Sequence, residues 1–73
     1  MNKYLVEIKT KAWMKPTITV KYLEVEAEDE YFARHKAFEE FEQELKYKAS
    51  ARKLMSDNGL TISDIAASDA VQL

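Results

Sequence analysis

Hydrophobic and polar residues alternate near the start of the chain: Tyr4, Val6 and Ile8 fall on one side, and Leu5, Glu7, Lys9 and Lys11 on the other. A period of two predicts a half-buried strand. A second β-rich run covers Thr17 to Ala27, and Pro16, which cannot donate to a ladder, belongs in the connection between the two. Strand, turn and strand predict a hairpin. Within the second run Ile18, Val20 and Tyr22 follow one phase, whereas Leu23, Val25 and Ala27 follow the other. Either both faces are partly apolar or a bulge near Tyr22 switches them.

The period then changes. Asp29 is a candidate N-cap, and Glu28, Asp29 and Glu30 suit the positive end of a helix dipole. Ala33, Ala37, Phe41, Leu45 and Ala49, with Phe38 beside them, form a helical stripe able to cover the hairpin, and Tyr31 and Phe32 wrap its start. Beyond Lys46 the stripe moves to Tyr47, Ala51, Leu54 and Met55, which predicts a curve, a kink or a second helix. Unbroken to Ser56, the helix would be about 40 Å long at about 1.5 Å per residue, long for so small a body. Asn58-Gly59 ends it, with Gly59 as a left-handed C′ residue and Leu60 as its hydrophobic follower.

Leu60 to Ile65 fits a third short strand that joins the hairpin sheet. The expected fold is therefore α+β: a single ββαβ domain over residues 1–65, with the hairpin sheet packed on one long or broken helix. Residues 66–73 are small or polar, without cap or periodicity, and are expected to form a flexible, mobile C-terminal tail. The alternative for Asn58 to Ala66 is the opening of a helix-turn-helix. It lacks a following basic or Gln/Asn/Arg-rich helix to read base edges.

Composition agrees with one small globular domain: 73 residues, 47% hydrophobic and 33% charged. Cysteine is absent, which excludes disulfides and thiolate metal sites and suits a reducing cytosol. A charge arrives too early for a signal-peptide core, and no apolar run approaches the roughly 18 residues of a membrane span, so a cytoplasmic protein is expected. Net charge is only −2, but the signs are blocked, with Lys3, Lys9, Lys11, Lys15 and Lys21 ahead of Glu24, Glu26, Glu28, Asp29 and Glu30. A second block of Glu39, Glu40, Glu42 and Glu44 precedes Lys46, Lys48, Arg52 and Lys53, as solvated i,i+4 helix pairs would.

Candidate chemistry is sparse. His35 is the only histidine; as a metal ligand it would have to lean on carboxylates, and as a general base it lacks an evident nucleophile. With Gly59 the only glycine, neither a dinucleotide fingerprint nor a phosphate-cradling loop can be present. No catalytic residue, metal site, cofactor or small-molecule substrate is expected, and the chain does not read as an enzyme. The basic hairpin with Trp13, Tyr4 and Tyr22 has the ingredients for stacking on single-stranded nucleic acid, but the acidic net balance and the lack of a motif argue against direct binding.

A surplus of apolar groups on the sheet points to a protein partner. If the helix covers Tyr4, Val6, Ile8, Leu23 and Val25, the opposite face holds Leu5, Ile18, Val20 and Tyr22, bordered by Lys9, Lys11 and Lys21. Exposed apolar patches ringed by charge mark contacts. These seven residues are the predicted docking face, with the tail from Ala66 ordering at a second site on the same partner. A monomer is expected over a dimer.

From Met1-Asn2-Lys3-Tyr4-Leu5-Val6-Glu7-Ile8 through Tyr22-Leu23-Glu24-Val25-Glu26-Ala27 to Asp69-Ala70-Val71-Gln72-Leu73, the sequence resembles the small transcription regulators of lytic Xanthomonas phages. The match is of size and overall sequence, without a compact motif. The resemblance implies a phage protein in the host cytoplasm that binds bacterial RNA polymerase at the β′ N-terminal segment and near the β flap. It implies σ factor displacement, hence inhibition of initiation, and antitermination during elongation. The alternative is a phage inhibitor of a host defence or nuclease complex that acts by steric occlusion.

Overall fold

A computed structural model describes all 73 residues. The fold is α+β, with a three-stranded antiparallel sheet of order β2-β1-β3 covered on one side by helices. β1 spans Asn2–Thr10 and β2 spans Thr19–Ala27. α1 spans Glu30–Tyr47, α2 spans Ala49–Asp57, and a 3-10 turn at Ile62–Asp64 leads into β3, Ile65–Gln72. No helix is long and apolar enough to cross a membrane.

β1 is the centre of the sheet, paired with β2 on one side and β3 on the other. Its alternation is resolved as the sequence predicts: Tyr4, Val6 and Ile8 are buried beneath the helices, and Leu5, Glu7 and Lys9 turn to the open side. Thr10 continues the buried row and is the one buried polar residue. Its N–H donates to the Ile18 carbonyl at 3.0 Å and its Oγ1 accepts from the Ile18 N–H at 2.9 Å. Both groups are thereby satisfied, as burial requires, and the hairpin loop is closed.

The two phases of β2 have a single cause. Ile8 lies opposite Lys21 and Lys9 lies opposite Thr19, so Val20 is an extra residue, a β-bulge. A bulge sets two consecutive residues on one side of the sheet. Val20 and Lys21 therefore both face the helices, and only Thr19, Tyr22, Glu24 and Glu26 remain on the open side. The switch lies two residues before Tyr22.

Asp29 caps α1, its Oδ1 accepting from the Phe32 N–H at 3.0 Å. Ala33, Ala37 and Phe41 are buried, and Phe41 is fully enclosed. The helix breaks at Lys48, whose extended backbone (φ −114°, ψ 116°) separates α1 from α2. The second helix is one of the outcomes the sequence predicts beyond Lys46, although Ala51 and Met55, 18 residues after Ala33 and Ala37, would keep their side even in one straight helix. Arg52 steadies the corner by donating from Nη1 to the carbonyls of Leu45 and Lys46 at 3.0 and 3.1 Å. At the end of α2, Gly59 is left-handed (φ 64°), its N–H reaching the Ser56 carbonyl and the Leu60 N–H the Met55 carbonyl at 2.9 Å. This is the glycine-ended cap the sequence predicts, and it drops Leu60 into the core.

The third strand and the tail are corrected together. Residues 61–64 turn instead of extending, because Thr61 and Asp64 form a capping box: the Asp64 carboxylate accepts from the Thr61 N–H at 2.8 Å and from its hydroxyl at 3.0 Å. The strand begins at Ile65, where the predicted one ends, and takes up the residues expected to be a mobile tail. Tyr4 lies opposite Gln72, Leu5 opposite Val71 and Thr10 opposite Ile65, and the Leu73 N–H donates to the Lys3 carbonyl at 2.8 Å. The free edge of β1 supplies partners for the backbone of Ile65–Gln72, a gain that side-chain patterning does not display. Asp69, with φ 32°, interrupts the register between Ser68 and Ala70, so that Ile65, Ala67 and Ala70 all lie inward.

Candidate binding surface

The open side of the sheet is covered by no element of the chain. Its rows follow from the register: Glu24, Leu5 and Val71 lie side by side, then Tyr22, Glu7 and Ser68, then Thr19, Lys9 and Ala66. Tyr22 is 56% exposed and Val71 59%, with Leu5 half-buried between them. These three form an apolar diagonal across the sheet. Polar groups frame it: the Thr19 hydroxyl donates to Glu7, and Lys9 Nζ stands 3.5 Å from Asp69 Oδ2.

The predicted docking face is thus divided by the bulge. Leu5, Lys9 and Tyr22 do share the open side. Val20 is in the core instead, a member of the same buried cluster as Ile8 and Phe41. Lys21 also faces the helices and pairs with Glu44 of α1. Ile18 sits half-buried opposite Thr10, and Lys11 lies in the hairpin connection, its N–H donating to the Asp64 carbonyl at 2.9 Å. Val71 is the addition that patterning missed. Only the register places it beside Leu5, and in sequence it stands among small residues that show no period.

Two further surfaces separate by charge. Where β2 leads into α1, Glu24, Glu26, Glu28, Asp29 and Glu30 gather beside the exposed aromatics Tyr31 and Phe32. The two rings meet edge to face, centroids 5.4 Å apart, and His35 Nε2 lies 3.1 Å from the Tyr31 hydroxyl. His35 is on the solvated side of α1, and no group of three or more His, Asp or Glu side chains is gathered closely enough to hold a metal. At the opposite end of the sheet, the hairpin connection carries Lys11, Trp13 and Lys15. Tyr4, by contrast, is buried and offers no ring to a partner.

One ion cluster ties sheet to helices. The Glu44 side chain, 14% exposed, accepts from Lys21 of β2 and lies 3.6 Å from Lys48 at the helix break. Burial pushes its carboxyl pKa up, but the Lys21 hydrogen bond and the charges of Lys21 and Lys48 outweigh that, and the net shift is downward from the ordinary 4.5. This is a fastening between β2 and the α1–α2 corner. Comparison with protein-family models, curated proteins and solved structures finds no match to the chain.

Proposed function

We propose that the chain is a phage regulator that acts, as a monomer and without catalysis, by binding bacterial RNA polymerase in the host cytoplasm. The resemblance supplies the partner: the β′ N-terminal segment and the β flap region, with σ displacement, inhibition of initiation and antitermination as the outcome. The observation that supports a binding role is the uncovered sheet face with its Leu5–Tyr22–Val71 diagonal. A tyrosine between aliphatic groups, rimmed by Lys9, Glu7 and Glu24, has the anatomy of an interface centre with a polar rim. A standard interface needs only about 800 Å² from each partner.

Docking through this face leaves the helices untouched, so binding and folding are separable by mutation. Immobilised protein should retain host polymerase from lysate, and Tyr22→Asp should abolish retention while circular dichroism stays that of the parent. The substitution would force a charge into an apolar contact. Polymerase absent from the parent's eluate overturns the partner. Undiminished retention by Tyr22→Asp overturns the face.

A further inference from the structure

Trp13 is 70% exposed at the tip of the hairpin connection. An indole is among the largest apolar groups a chain can bury, and a chain of 73 residues with a single tryptophan leaves this one outside its core. The local geometry holds it there: the Met14 N–H donates to the Lys11 carbonyl at 2.9 Å, closing a turn whose outer residues are Ala12 and Trp13. Lys11 and Lys15 stand two residues to either side, and neither joins any of the ion pairs in the structure.

Beside the tip runs a shallow groove toward β3. It is lined by Lys9, Lys11, the hydroxyl residues Thr17 and Ser68, and the small residues Ala66 and Ala67, and no carboxylate lines it. Asp69, exposed, stands 3.5 Å from Lys9, and on the helix side Lys11 shares a second groove with Glu39 and Glu42. The acidic run Glu24 to Glu30 lies at the far end of β2, where Ala27 pairs with Asn2. The net charge of −2 therefore conceals a molecule whose hairpin end is basic.

Ammonium groups and hydroxyls beside small alanines suit a chain of phosphates approaching closely. An outward indole suits an unstacked base, because every base presents a face to stack on. We infer that the hairpin end, with Trp13 as stacking platform and Lys9, Lys11 and Lys15 as phosphate contacts, binds single-stranded nucleic acid without sequence preference. A duplex offers the phosphates but keeps its bases stacked, so it engages the lysines alone. This contact is separate from the Leu5–Tyr22–Val71 diagonal and needs no polymerase.

The only tryptophan is the reporter. Titrating the full chain with a 20-nucleotide oligothymidylate at low salt should quench Trp13 fluorescence. The logarithm of affinity should fall with the logarithm of salt at a slope of about −2, as three phosphate contacts on a single strand require. By anisotropy of a labelled oligonucleotide, Trp13→Ala should weaken binding about tenfold, and Lys11→Gln with Lys15→Gln should weaken it and flatten the slope. Absence of quenching, equal affinity for a duplex of the same length, or equal quenching by polyglutamate, which would make the end a site for acidic protein segments, each overturns the inference.

Discussion

The two sides of the sheet are built from the same three strands and differ in what the alternate residues are asked to do. The covered side holds Tyr4, Val6, Ile8, Val25, Ile65 and Ala70 against Phe41 of α1, all buried. The open side holds Leu5, Glu7, Lys9, Tyr22 and Val71, in which apolar and charged groups are interspersed. On the covered side the identity of each residue is set by volume, since a close-packed interior registers the loss of a single methylene. On the open side packing sets little, and residue choice is free to serve a partner. Two bulges, at Val20 and Asp69, sort residues between the sides, and they, more than hydrophobicity alone, decide which groups are offered to solvent.

Substitutions that fall on one side or the other sharpen this contrast. Deleting residues 66–73 should have the largest effect, because it removes β3 from both sides at once, uncovering one edge of β1 and stripping Ala67 and Ala70 from the core. No cooperative melting transition should remain; a truncated chain that melts like the parent would show that β1, β2 and the helices suffice. On the covered side Phe41→Ala should cost about 3–5 kcal/mol, the usual loss for a fully buried phenylalanine, measured by urea denaturation.

At the rim between the two sides the expected effect is smaller. Glu44→Gln breaks the pairs with Lys21 and Lys48 and should cost about 0.5–1 kcal/mol at neutral pH, as a partly exposed ion pair does. The carboxyl pKa is lowered by folding, so the unfolded chain binds the proton more readily. The stabilisation is present above the ordinary 4.5 and is lost as pH falls through the lower folded value. Melting curves of parent and variant should therefore converge in acid; a gap that persists unchanged at low pH would assign the loss to packing. The smallest change in stability belongs to Tyr22→Asp, within about 0.5 kcal/mol of the parent because the ring is exposed. A large loss there would mean that the open side is structurally loaded as well.

Elements whose signals are local are legible along the chain: β1 from its alternation, the start of α1 from Asp29 and the acidic residues around it, the end of α2 from Gly59 and Leu60. Each depends on contacts within a few residues, and the α+β class follows from their order. The remaining features come from how the strands pair. Ile65–Gln72 is a strand because the second edge of β1 is available to it, and its alanines carry too little hydrophobic contrast to announce a period. Val20 and Lys21 face the helices because one residue too many lies opposite Ile8, a count that no single strand contains. The open face took its final membership, Val71 gained and Val20 lost, from the register between strands, which is a property of pairs and is absent from either strand read alone.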